Sequence, residues 1–181
     1  MKTYVIILAE NYPAGHQYAG ESTYFKNKFL YGLGCPDCSY ANATHPCPGK
    51  GRYACPRGSL KKLHTLRGNY EMWKKRFAEI ETGRACLSVR VWSGRPYHSK
   101  QKELARLTKG DGIGLQRVRI YNVGDGARYA MLLNAAGDKV GRIETYKLAN
   151  NDGLPLFAWE DWFRKANDPD FAVIQFTKFR Y

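Results

Sequence analysis

Apolar and polar positions along this chain fall into stretches whose spacing predicts secondary structure. Residues 3–9 hold the run Tyr4-Val5-Ile6-Ile7-Leu8-Ala9, which predicts a buried first strand. Over residues 69–82, Trp73, Phe77 and Ile80 recur at helical spacing, so an amphipathic helix is expected. Asn69 is placed to cap it and Gly83 to stop it. Lys74, Lys75 and Arg76 then point away from the apolar stripe. Residues 85–92 alternate as a strand, with Leu87, Val89 and Val91 on one face and Ser88, Arg90 and Trp92 on the other. Further strands are predicted over 102–108 and 114–122, and 128–133 pairs with 139–145 as a hairpin. Residues 156–166 read as a second helix with Leu156, Trp159 and Phe163 on one side, and 171–179 as a closing strand.

Other stretches have no such period. Residues 11–21 read as loop, 25–33 as an aromatic segment of ambiguous structure, and 150–153 as a tight turn. Residues 34–58 are rich in Gly, Pro and Cys and read as an inserted loop module. The expected architecture is α+β: one domain over residues 1–181, built as a small, partly open β-barrel with two packed helices and a Cys-rich insertion over 34–58.

Composition narrows the picture. A chain of 181 residues with 44% hydrophobic and 14% aromatic content can build a core, which excludes a disordered chain. The net charge is +13, and it is uneven: residues 50–109 carry 16 Lys or Arg against four Asp or Glu, while the flanking segments nearly balance. Concentrated positive charge points to a polyanionic partner, nucleic acid first. The first apolar run is too short for a membrane span, so no membrane association is expected.

The cysteines fall as Cys35, Cys38, Cys47 and Cys55, with Cys86 apart. Two thiolates at C-x2-C spacing can hold one tetrahedral ion, and an insert without its own core needs a metal or crosslinks to be ordered. Structural zinc on these four cysteines is expected, with His45 as a substitute ligand and free thiols as the alternative. This usage fits a reducing cytoplasm better than a secreted disulfide scaffold.

Chemistry-bearing residues gather in Lys61-Lys62-Leu63-His64-Thr65-Leu66-Arg67 and in the run from Trp92 to Gln101. Lys62 and Arg67 suit phosphate, as do Arg95 and Lys100, with Lys61 and His64 as further nucleic-acid contacts; Thr65 suits a hydrogen bond to a base or sugar, and Trp92, Tyr97 and Tyr70 suit stacking on unpaired bases. The alternative is that Trp92 and Tyr97 plug a barrel end.

Three landmarks carry a resemblance: Lys62-x-x-Thr65-Leu66-Arg67, the polar turn Asn151-Asp152-Gly153 running into the second helix, and the last strand from Phe171. Their order resembles the ASCH domain family of the PUA-like superfamily, in a bacterial or phage variety, over residues 62–181. The cysteine insertion departs from that family. The resemblance implies a PUA-like barrel with a basic cleft suited to RNA or a modified nucleoside. It also implies, for one subgroup, an amidohydrolase that deacetylates N4-acetylcytidine, using a Lys, a Thr and a downstream Glu. Lys62 and Thr65 match, and the Glu position falls on Asp152, one methylene shorter. In that scheme Lys62 is the base, Thr65 the nucleophile and Asp152 the supporting acid. RNA binding is the leading expectation, nucleoside deacetylation the second, and docking of an acidic protein partner the third.

Overall fold

The computed structural model describes residues 1–34, 60–122, 128–164 and 170–181. Cys35, Cys38, Cys47, Cys55 and His45, with nearly all of the expected insertion, lie outside the described residues. In chain order the elements are β1 (Lys2–Ile7), α1 (Phe25–Gly32), β2 (His64–Arg67), α2 (Tyr70–Glu81), β3 (Ala85–Trp92), β4 (Gln101–Leu107), β5 (Gly114–Asn122), β6 (Arg128–Leu133), β7 (Lys139–Ile143), α3 (Thr145–Asn151), α4 (Leu156–Trp162) and β8 (Phe171–Gln175).

The helix expected over 69–82 forms as α2, and both of its ends are built as its residues predict. The Asn69 side chain accepts from the Met72 amide at 3.1 Å. At the other end Gly83, at φ 72°, donates to Ile80, and Arg84 donates to Glu79, closing the helix with paired reverse-turn hydrogen bonds that need a left-handed residue. Tyr70, Trp73, Phe77 and Ile80 are its buried face. The chain then runs straight into β3, where Leu87, Val89 and Val91 are buried as the alternation predicts.

The strands form two sheets rather than one barrel. β1, β3 and β4 make the first, in the order β1-β3-β4, with β1 parallel to β3. The second has the order β2-β8-β5-β6-β7 and is antiparallel throughout. The described strands close no barrel, which corrects the barrel expected from the sequence. β4 is an outer strand of its sheet and leaves Lys102 and Arg106 exposed. A single hydrophobic cluster joins both sheets and all the helices, through Phe29, Ile80, Leu87, Val118, Leu148, Trp159 and Ile174.

The described residues contain four α-helices where two were expected. α1 buries only Phe25 and Phe29, four residues apart, and begins at Tyr24 without a side-chain cap. α3 is seven residues long and ends in the Asn-Asn-Asp-Gly run that reads locally as a turn. The Asp152 amide still donates to Leu148 at 3.0 Å, so that turn is the end of a helix. No helix among the described residues is long and apolar enough to cross a membrane.

Candidate functional site

The segment just before β2 lies against α1. The Lys62 amide donates to the Lys28 carbonyl at 3.0 Å and the Leu63 amide to Asn151 at 2.8 Å. Gly32 permits this approach: a Cβ there would stand 2.7 Å from the Lys62 carbonyl oxygen. Lys62 is thus pinned between α1 and the end of α3, where it forms a β-bridge with Asp152.

Its side chain completes the contact. The Lys62 ammonium donates to Asp152 Oδ1 at 2.5 Å and to the Asp152 carbonyl at 2.7 Å, and lies 3.8 Å from the Phe25 ring centre. Lys28 Nζ donates to Gly153 at 2.7 Å, and Arg67 Nη2 to the Ile7 carbonyl at 2.6 Å. Lys62 is only 1% exposed and Asp152 4%, so this ion pair is enclosed.

Burial governs the protonation of the group. It lowers the Lys62 pKa against the opposing pull of Asp152, and it raises the Asp152 carboxyl against the pull of Lys62 and Arg67. Lys28 is pushed down to about 8, first by burial and then by the Lys62 charge. Burial, then Lys62, holds His64 well below the usual imidazole range, so it is neutral at pH 7. Its Nε2 shares a hydrogen bond of 2.7 Å with the Tyr181 hydroxyl, which also accepts from Asn151.

Beside this enclosed group lies an open cleft of about 1270 Å³. It is lined by Ile7 and Arg67, by residues drawn from 9–14 and 21–27, and by Trp92, Gly94, Pro96 and Tyr97. Five aromatic residues line it: Tyr12, Tyr24, Phe25, Trp92 and Tyr97. Trp92 and Tyr97 have ring centres 5.4 Å apart, and Tyr97 is 87% exposed. The facing loop is held by His16, which stacks on Tyr12 at 4.4 Å, takes the Tyr18 amide on Nδ1 and bonds the Ala158 carbonyl through Nε2 at 2.9 Å. Phe25 belongs both to the cleft and to the contact with Lys62.

The structure unites some of the residues expected to act and separates others. Lys62 and Asp152 meet, and Arg67 reaches the cleft with Trp92 and Tyr97. Thr65 sits on the β2 face shared with Arg67 but makes no side-chain hydrogen bond, to Lys62 and Asp152 included, among the described residues. Lys62 and His64 are too deeply enclosed to be surface contacts for phosphate, which corrects their expected role as nucleic-acid ligands. Tyr70 is also buried, under Arg117 at 5.0 Å, so it offers no free ring face to a base. Lys61, Arg95 and Lys100 are exposed, Lys61 over the Tyr31 ring at 4.7 Å.

The cleft is not strongly basic. Arg67 and Lys26 are matched by Glu10 and Glu21, and α2 is neutral in sum, its three Lys or Arg facing three Glu; the positive excess of residues 50–109 lies mainly in the segment up to Arg67 and around β3 and β4. Sequence reasoning missed Lys28, Phe25, Tyr12 and Tyr24, whose only signal was the aromatic run before the insertion. Among the described residues no group of three or more His, Cys, Asp or Glu is arranged to hold a metal ion. No protein-family model, curated protein or solved structure matches this chain.

Proposed function

We propose that the protein binds RNA or a modified nucleoside in the aromatic cleft. The observation that carries this reading is five aromatic residues around one open cleft, with Arg67 in its lining. Rings of this kind stack on unpaired bases, and an arginine in the lining suits a phosphate or a carbonyl edge. A volume of about 1270 Å³ has room for more than one nucleotide. The K-x-x-T-L-R segment supports placing the chain with PUA-like domains of the ASCH type, and the net charge of +13 supports a polyanionic ligand.

Nucleoside deacetylation is the second reading, favoured by the direct contact of Lys62 with Asp152 and by a Thr65 hydroxyl without a hydrogen-bond partner among the described residues. The enclosure of that ion pair weighs against it, because a base has to reach the substrate. Binding therefore ranks above catalysis.

Fluorescence anisotropy with a short single-stranded RNA tests the cleft. Trp92→Ala and Tyr97→Ala should each weaken binding by about 5- to 100-fold, the range of one lost stacking contact. Unchanged affinity in both variants rejects the cleft as the binding site. Acetate release from N4-acetylcytidine, lost in Thr65→Ala, would promote the second reading over the first.

A further inference from the structure

A second aromatic and cationic surface lies on the outer half of the five-stranded sheet. In the register of β5 and β6, Tyr121 stands directly opposite Tyr129 and Arg119 opposite Met131; Met131 in turn faces Arg142 on β7. Strand alternation places Arg117, Arg119, Tyr121, Tyr129, Met131 and Arg142 on one face. α2 covers the inner end of this face, where Arg117 lies under Tyr70 and pairs with Glu71. Beyond Arg117 the face opens: Tyr121, Tyr129 and Met131 are half-buried, and Lys139 and Arg142 are exposed.

The two tyrosine rings are stacked, with centres 4.9 Å apart and planes 10° from parallel. Lys139 Nζ lies 5.2 Å from the Tyr121 ring centre, and the Arg142 guanidinium 5.3 Å from that of Tyr129. A cross-strand aromatic pair can serve the hairpin alone, but such a pair does not require a cation at each ring. The neighbouring carboxylates match only one of these two cations. Asp170 is held by Arg117 and Arg119, Glu144 lies 3.7 Å from Arg142, and Lys139 has no carboxylate partner among the described residues.

We propose that this face is a second contact surface for single-stranded nucleic acid, separate from the cleft. An exposed cation over a ring is held more weakly than a stacked base. An arriving base can therefore take the ring face and release the ammonium or guanidinium to a phosphate of the same strand. An acidic peptide would satisfy the cations and leave the ring faces idle, and a duplex offers no free base. Single-stranded nucleic acid is the occupant that uses both halves of the surface.

The test is anisotropy with a labelled oligouridine RNA of about 15 nucleotides, read from about 50 to 200 mM salt. Tyr121→Ala with Tyr129→Ala should weaken binding about 10-fold or more. Lys139→Gln with Arg142→Gln should lower the slope of log affinity against log salt by about one to two, and these exposed substitutions do not endanger the fold. Trp92→Ala with Tyr97→Ala is measured in parallel. A loss in the sheet variants alone keeps this proposal and rejects the cleft. Unchanged affinity and slope in the Lys139 and Arg142 variant overturns the proposal, whatever the cleft variants do. A reduced slope with no effect of the tyrosines, combined with equal displacement by polyglutamate, overturns it in favour of an acidic protein partner.

Discussion

Asp152 and Asp170 are both shielded from water and both surrounded by cations, yet their acidities move in opposite directions. Asp152 lies deep, takes a single ammonium contact from Lys62, and has its pKa raised because burial outweighs Lys62 and Arg67. Asp170 is also buried, at 8% exposed, and is held by Arg117 and Arg119. Burial pushes it up too, but hydrogen bonds from Arg119 Nε at 2.7 Å and from Nε and Nη2 of Arg117 hold it below the usual carboxylate range. Depth decides the first case and the number of charge-assisted hydrogen bonds decides the second.

The largest test of this contrast is deletion. Asp152→Ala leaves an enclosed ammonium without its acceptor and should cost about 3–5 kcal/mol in chemical denaturation. Asp170→Ala should cost about 1–2 kcal/mol, because its arginines can turn toward water. Replacing both deep partners, Lys62→Met with Asp152→Leu, should recover most of the first loss. The reverse order of the two single losses would break the comparison.

Next in size is Gly32→Ala. It forces a Cβ to within 2.7 Å of the Lys62 backbone and should destabilise by about 1–3 kcal/mol. A neutral result would mean that α1 does not fix the deep pair.

The pH response sharpens the contrast through its sign. Asp170 has a folded pKa below 3.8, so its stabilisation is present above pH 3.8 and is lost as pH falls through the folded value. Asp152 has a folded pKa above 3.8, so its contribution is greatest below pH 3.8 and declines as pH rises through the folded value. Urea midpoints of the wild type, Asp152→Asn and Asp170→Asn between pH 3 and 7 should give difference curves of opposite slope. Slopes of the same sign would contradict the assignment.

The smallest effect on the contrast belongs to metal. Metal analysis of protein purified without added metal should find about one zinc per chain on the proposed Cys35, Cys38, Cys47 and Cys55 site. Removing it should leave the difference between the Asp152 and Asp170 variants unchanged.

Local signals explain what the sequence reveals. Asn69, the Trp73-Phe77-Ile80 stripe and Gly83 define α2 because cap, stripe and stop lie within one short segment. The alternation around Val89 defines β3 for the same reason. The division into two sheets is invisible locally, since β2 pairs with β8 more than a hundred positions away. α3 is hidden because its seven residues include only two buried side chains and close on a turn-like run. Spacing and resemblance together indicated Lys62 and Asp152 as a pair. Their enclosure was not legible, because lysine is seldom buried and its burial depends on α1, which carries no cap signal.

The outer edge of β4, which pairs with no other strand among the described residues, has a consequence for how copies of this protein behave together. Backbone donors and acceptors along such an edge can template strand addition from an identical chain. Lys102, with Arg95 and Lys100 just before the strand, makes that approach electrostatically unfavourable, while Arg106 is paired with Glu103. Some of the positive charge thus guards against self-polymerisation, and a polyanion that masks it also removes the guard.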